Sequence, residues 1–173
     1  MTLLNIIPYV LWLSVLPSAS SLPQIVEIGI LECRSYRLNT TNIPDWPIPQ
    51  TNFFIRNTNS GPQQDLGLDN VQMCLINAVA QVDSQIRRHG SKGLPDSHPQ
   101  YPDAETGLIF DIRLSTSLSW EQLRAIIEGF QLYYDQVLKK GVDLHFDILR
   151  LLGRRECLIA QGRIGKIETD QIP

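Results

Sequence analysis

Three ionisable residues alternate along VDLHFDIL (142–149): Asp143, His145 and Asp147. Period two puts all three on one side of a strand, with Val142, Leu144, Phe146 and Ile148 on the other. The stretch GLIFDIRLS (107–115) repeats the pattern. There Leu108, Phe110, Ile112 and Leu114 alternate with Asp111, Arg113 and Ser115. If the two strands are neighbours, one wet sheet face carries a histidine, several carboxylates and an arginine. That is the minimum set for general acid–base cleavage of a phosphodiester or similar ester. Several carboxylates and a histidine could also hold a divalent cation. The competing reading is a solvated sheet face studded with charges, as antiparallel sheets commonly show. Residue types alone favour that last reading, with no cofactor and no metal.

The other candidates carry less chemistry. His89 belongs to a helix end, and His98, in SHPQYP, reads as a residue of a surface loop. The chain has no GxSxG elbow, no Gly-rich phosphate loop and no HExxH pair. Arg150, Arg154, Arg155, Arg163 and Lys166 crowd the last hairpin. Protection of an edge strand explains them better than an anionic partner does. Trp120, Tyr133 and Tyr134 read as core.

Two helices frame these strands. Over 69–88, Val71, Leu75, Ala78, Val79, Val82 and Ile86 form one apolar stripe. Asp69 with Gln72 is the expected capping box, with Leu68 and Met73 as staple. Arg87-Arg88-His89-Gly90 suits the far end. A second helix runs from the cap at Ser119, with Gln122 as its partner, to Lys139-Lys140-Gly141. Its stripe is Trp120, Leu123, Ile127, Phe130, Tyr134 and Val137. The Pro-rich stretch 90–106 reads as a loop, and 157–167 as a last strand broken by Gly162 and Gly165. The sum is an α+β fold: a two-layer sandwich with both helices on one face of a mostly antiparallel sheet of about four strands.

The chain divides into a leader (1–20), an N-terminal arm with strand-like pieces (21–68) and an α+β core (69–173), arm and core forming a single domain. Residues 3–16 are an apolar run too short to span a bilayer, followed by Ser18-Ala19-Ser20, a signal-peptidase pattern. The fifteen basic and eighteen acidic residues all lie beyond residue 20. Export makes the three cysteines candidates for one bridge with one thiol left over, in any of three pairings; Cys33–Cys74, clipping the arm to the first helix, is the favoured one, and three ordinary buried thiols are the alternative. Asn39-Thr40-Thr41 is a candidate glycan site. A net charge of −3 argues against a dedicated nucleic-acid binder. A hydrophobic content of 43% excludes a wholly disordered chain.

SQIRRHG (84–90), SLSWEQLRAIIEGF (117–130) and VDLHFDIL (142–149), behind an export signal, resemble the small secreted, uncharacterised proteins of filamentous ascomycete fungi. The resemblance covers roughly 69–167, and its matched positions are core and cap residues. It implies a secreted, extracellular fungal protein released toward a host or a substrate, and transfers no activity. Two functions follow as expectations. The first is a non-catalytic, effector-like interaction protein meeting a host or cell-wall component, without nucleic acid and without a membrane after leader removal. The second is a small nuclease-like hydrolase working from the polar sheet face.

Overall fold

A computed structural model describes residues 33–35, 45–153 and 155–168. The leader expected at 1–20, the strand expected at 25–31, Asn39 and Arg154 lie outside the described residues. The elements are β1 (Cys33–Ser35), β2 (Trp46–Pro47), β3 (Phe53–Asn57), α1 (Leu68–His89), β4 (Gln100–Asp103), β5 (Leu108–Leu114), α2 (Trp120–Tyr133), β6 (Leu144–Leu152) and β7 (Arg155–Lys166). A single π-type turn, Tyr134–Leu138, continues α2.

The fold is α+β, with two helices and one antiparallel sheet. The sheet is larger than the four strands expected. Its order is β2-β3-β6-β7-β5-β4, and β1 adds to β7 off this path. The extra strands come from segments whose composition hides them. Phe53–Asn57 is short and lies beside a turn-rich loop, yet it pairs along its whole length with β6. Gln100–Asp103 lies within the Pro-rich stretch read as a loop. It is an edge strand, where the missing amide of Pro102 costs little. The last strand is not broken by its glycines: β7 runs through twelve residues. Gly162 stands there because a Cβ would fall within 2.6 Å of the Phe146 ring. Phe146 packs instead against Phe110 and Phe130, with centroids 5.8 Å and 4.3 Å away.

Both helix stripes enter one core with the inward residues of the sheet. Val71, Leu75, Ala78 and Val82 of α1 are fully buried, as are Leu123, Ile127 and Phe130 of α2. They meet Phe110, Ile112, Leu144, Phe146 and Ile148. Ser119 caps α2 through the full capping box with Gln122. The first helix differs from expectation. It is preceded by Gly67, at φ 79°, whose amide donates to Asp65, and Asp69 lies inside the first turn without capping it. Met73 is exposed and so makes no staple. Gly141 does not end α2; Lys139, at φ 52°, does. Gly141 instead lets the chain pass Gly67, since a Cβ would lie 2.1 Å from that residue's carbonyl carbon.

The cysteines also depart from expectation. Cys74 is a free thiol, so no Cys33–Cys74 bridge forms. It sits on the core-facing side of α1, fully enclosed. Cys157 is the disulfide-bonded cysteine. The register of β1 on β7 sets the Cys33 backbone directly opposite it. Facing Cα atoms in an antiparallel pair are about 4.5–5.5 Å apart, within the span a disulfide bridges. Burial pushes the Cys74 thiol up to about 12, helped by the nearby charge of Asp103. It should therefore ignore thiol reagents in the native protein. Without reductant, an alkylating label should add to one site per chain after unfolding and to none before; labelling of three sites would overturn the assignment.

Candidate functional site

The polar residues of the central strands fall into two rows across the sheet. In the first, Gln100 of β4 faces Asp111 of β5, which faces Arg163 of β7, which faces His145 of β6. In the second, two residues along, Arg113 faces Gln161, and Gln161 faces Asp147. Each is flanked along its strand by core residues such as Phe110, Ile112, Leu144 and Phe146, so pleating sends the rows to the side away from the core. An open pocket of about 450 Å³ lies over them. Its walls are closed by Thr58, just after β3, and by His98, just before β4.

His98 is the residue sequence reading missed. Its Nε2 lies 2.6 Å from Asp111 Oδ1, and its backbone amide donates to Asp96. It reaches the sheet because the 97–99 segment runs alongside β5. Ser97 and Pro99 accept from the amides of Leu114 and Ile112. The signal was the pattern in 100–103 that makes an edge strand, masked by two prolines. Asp111 is held from three sides. Besides His98, Gln100 Nε2 reaches Oδ2 at 3.4 Å, and Arg163 Nε lies 3.9 Å from it. Arg163 also meets Glu168, an exposed partner at 2.5 Å. Pairs of that kind are weak and easily exchanged.

The remaining groups are less constrained. Arg113 and His145 project into the pocket with no side-chain hydrogen bond to any described residue. Asp147 accepts from Gln161 at 2.9 Å. The backbone of His145, in contrast, is firmly placed. Its carbonyl accepts from Thr58 N at 2.9 Å, and its amide donates to Asn59 Oδ1 at 2.6 Å. Asn59 thus extends the β3–β6 ladder by one side-chain bond.

Of the five residues singled out by sequence, four line this pocket: Asp111, Arg113, His145 and Asp147. Asp143 does not. It precedes β6, its carboxylate accepts from the Gln64 amide, and it lines a second cleft beside the first. Nor do the basic residues of the last hairpin form one patch. Arg163 is in the pocket, while Arg150 lies over the Phe53 ring at 4.9 Å.

The pocket therefore holds two imidazoles on opposite sides of an arginine. With strands about 4.8 Å apart, the backbones of Asp111 and His145 stand about 10 Å from each other, with Arg163 between. A tetrahedral anion resting on Arg163 and Arg113 would have one imidazole on each flank. No group of three or more His, Cys, Asp or Glu among the described residues is arranged to hold a metal ion. The chain matches no protein-family model, no curated protein and no solved structure. No helix of the described residues is long and apolar enough to cross a membrane.

Proposed function

We propose that the protein is an acid–base hydrolase that cleaves a phosphodiester from its polar sheet face. This is the second of the two functions expected from the sequence. The observation that carries it is the pairing of His98, oriented by Asp111, with His145 across Arg163 in one pocket. A carboxylate that fixes the tautomer and orientation of a histidine serves proton transfer, whereas a binding surface has no need of one. The Asp111 carboxylate accepts the Nε2 proton of His98, which leaves Nδ1 as the proton acceptor. His145, unbonded, supplies the proton to the leaving oxygen. Arg113 and Arg163 hold the phosphoryl oxygens and the charge that develops on them. The helices and the sheet form two layers, and this leaves the opposite sheet face open to substrate. The leader read from residues 1–20, and the resemblance to secreted fungal proteins, support a reaction outside the cell.

The test is turnover of a panel of phosphodiesters by the purified chain lacking residues 1–20: single-stranded RNA, single-stranded DNA and a bis-aryl phosphate. At least one should be hydrolysed. Absence of turnover across the panel leaves the interaction-protein function in its place.

A further inference from the structure

The second cleft shares two walls with the pocket. Thr58 and His145 line both, and the rest of the cleft is Asn59, Ser60, Gly61, Pro62 and Asp143, enclosing about 340 Å³. His145 thus stands at the boundary of two adjoining seats. We propose that the substrate is RNA, and that this cleft seats the nucleoside that leaves when the chain is cut. The inference rests on the phosphodiester reading above.

Three features lead to it. First, the cleft adjoins the proton donor, His145, and not the acceptor, His98. The group it holds is therefore the one attached to the leaving oxygen. Second, the cleft is built of loop backbone, the Asn59 amide, the Thr58 and Ser60 hydroxyls, the Asp143 carboxylate and the His145 ring. Such walls suit the polar edges of a base and a ribose, where an acyl chain would need apolar walls. Third, the cleft is preformed. Asn59 Nδ2 donates to the Asp143 carbonyl at 3.3 Å, the Asp143 amide donates to Gln64 O at 2.9 Å, and the Asp143 carboxylate accepts from the Gln64 amide. A preformed seat costs little ordering when substrate binds.

The choice of RNA over DNA follows from the chemistry of two imidazoles. A ribose carries its own nucleophile next to the phosphorus, so no water has to be captured and aligned. His98 Nδ1 takes the proton from the 2′-hydroxyl. The 2′-oxygen bonds to phosphorus, the bond from phosphorus to the 5′-oxygen breaks, and His145 gives its proton to that oxygen. The products are a 2′,3′-cyclic phosphate and a free 5′-hydroxyl. One proton has moved from one oxygen to another, through two histidines that exchange protonation states. The overall acidity of the chain does not oppose this, because the pocket itself is not acidic: Arg113 and Arg163 balance the two carboxylates, Asp111 and Asp147.

The experiment uses a DNA oligonucleotide carrying a single ribonucleotide, with all-DNA and 2′-O-methyl versions alongside. Cleavage is expected only in the first, directly 3′ of the ribonucleotide, leaving a cyclic phosphate. For the cleft, a dinucleoside monophosphate is compared with the methyl ester of the same 3′-nucleotide. The dinucleotide should have a kcat/KM at least about 10-fold higher, because remote binding energy is used in the transition state. Gly61→Leu fills the cleft where a Cβ meets nothing within 4 Å. It should close that gap while leaving the methyl ester unchanged. Equal cutting of DNA overturns the RNA assignment and leaves the phosphodiester reading standing. A gap that survives Gly61→Leu overturns the seat. If no phosphodiester is cut at all, both readings fall.

Discussion

His145→Ala should reduce phosphodiester turnover by about 10²–10⁴-fold, the usual contribution of a positioned proton donor. The fold should be untouched. The His145 ring bonds to no described residue, and its backbone contacts with Thr58 and Asn59 survive the substitution. Exposed positions of that kind change stability by about 0.5 kcal/mol or less. His98→Ala should cost as much in rate, because it removes the proton acceptor. Asp111→Asn should cost less than either. It keeps a hydrogen bond to the ring but no longer selects the tautomer that leaves Nδ1 free. The checks are kcat and KM for the best phosphodiester of the panel, with the melting temperature of each variant. If His145→Ala retains full rate with an unchanged fold, the acid–base assignment is wrong. If rate and fold are lost together, His145→Gln replaces it, since glutamine keeps the bulk of the ring without a transferable proton.

Ile127→Asp should prevent folding or lower stability by at least about 4 kcal/mol, against a total of about 5–15 kcal/mol for a domain of this size. Ile127 is fully buried in the α2 stripe, in the same cluster as Phe110, Phe130 and Phe146. A carboxylate there loses its hydration, has no partner and opens a void where the side chain was. Thermal unfolding followed by circular dichroism measures the effect. An unchanged transition would mean that the α2 stripe is not core. The neighbouring Glu128, half-buried and paired with Arg124, is the matched control and should accept Ala at little cost.

The amino-acid sequence alone determined those features that depend on near neighbours in the chain. The α2 cap is legible because Ser119 and Gln122 are three residues apart, and the helix stripes because burial repeats at the period of the helix. The β5 and β6 alternations are legible for the same reason, and they place Asp111, Arg113, His145 and Asp147 outside the core. Tertiary structure decided what lies between strands. No local pattern says that β7 runs between β5 and β6, so none could put Arg163 between Asp111 and His145. The same holds for β3 and β4, whose hydrogen bonds to distant partners outweigh the loop-like composition of their surroundings. His98 joins the site only through that pairing, since it sits thirteen residues from Asp111 in the chain. Cysteine pairing is decided in the same way, by the register of β1 on β7 and not by spacing. Local hydrogen bonding and burial periodicity are short-range and written into the chain; strand order is a long-range choice among many pairings of similar local energy, resolved only by how the whole core packs.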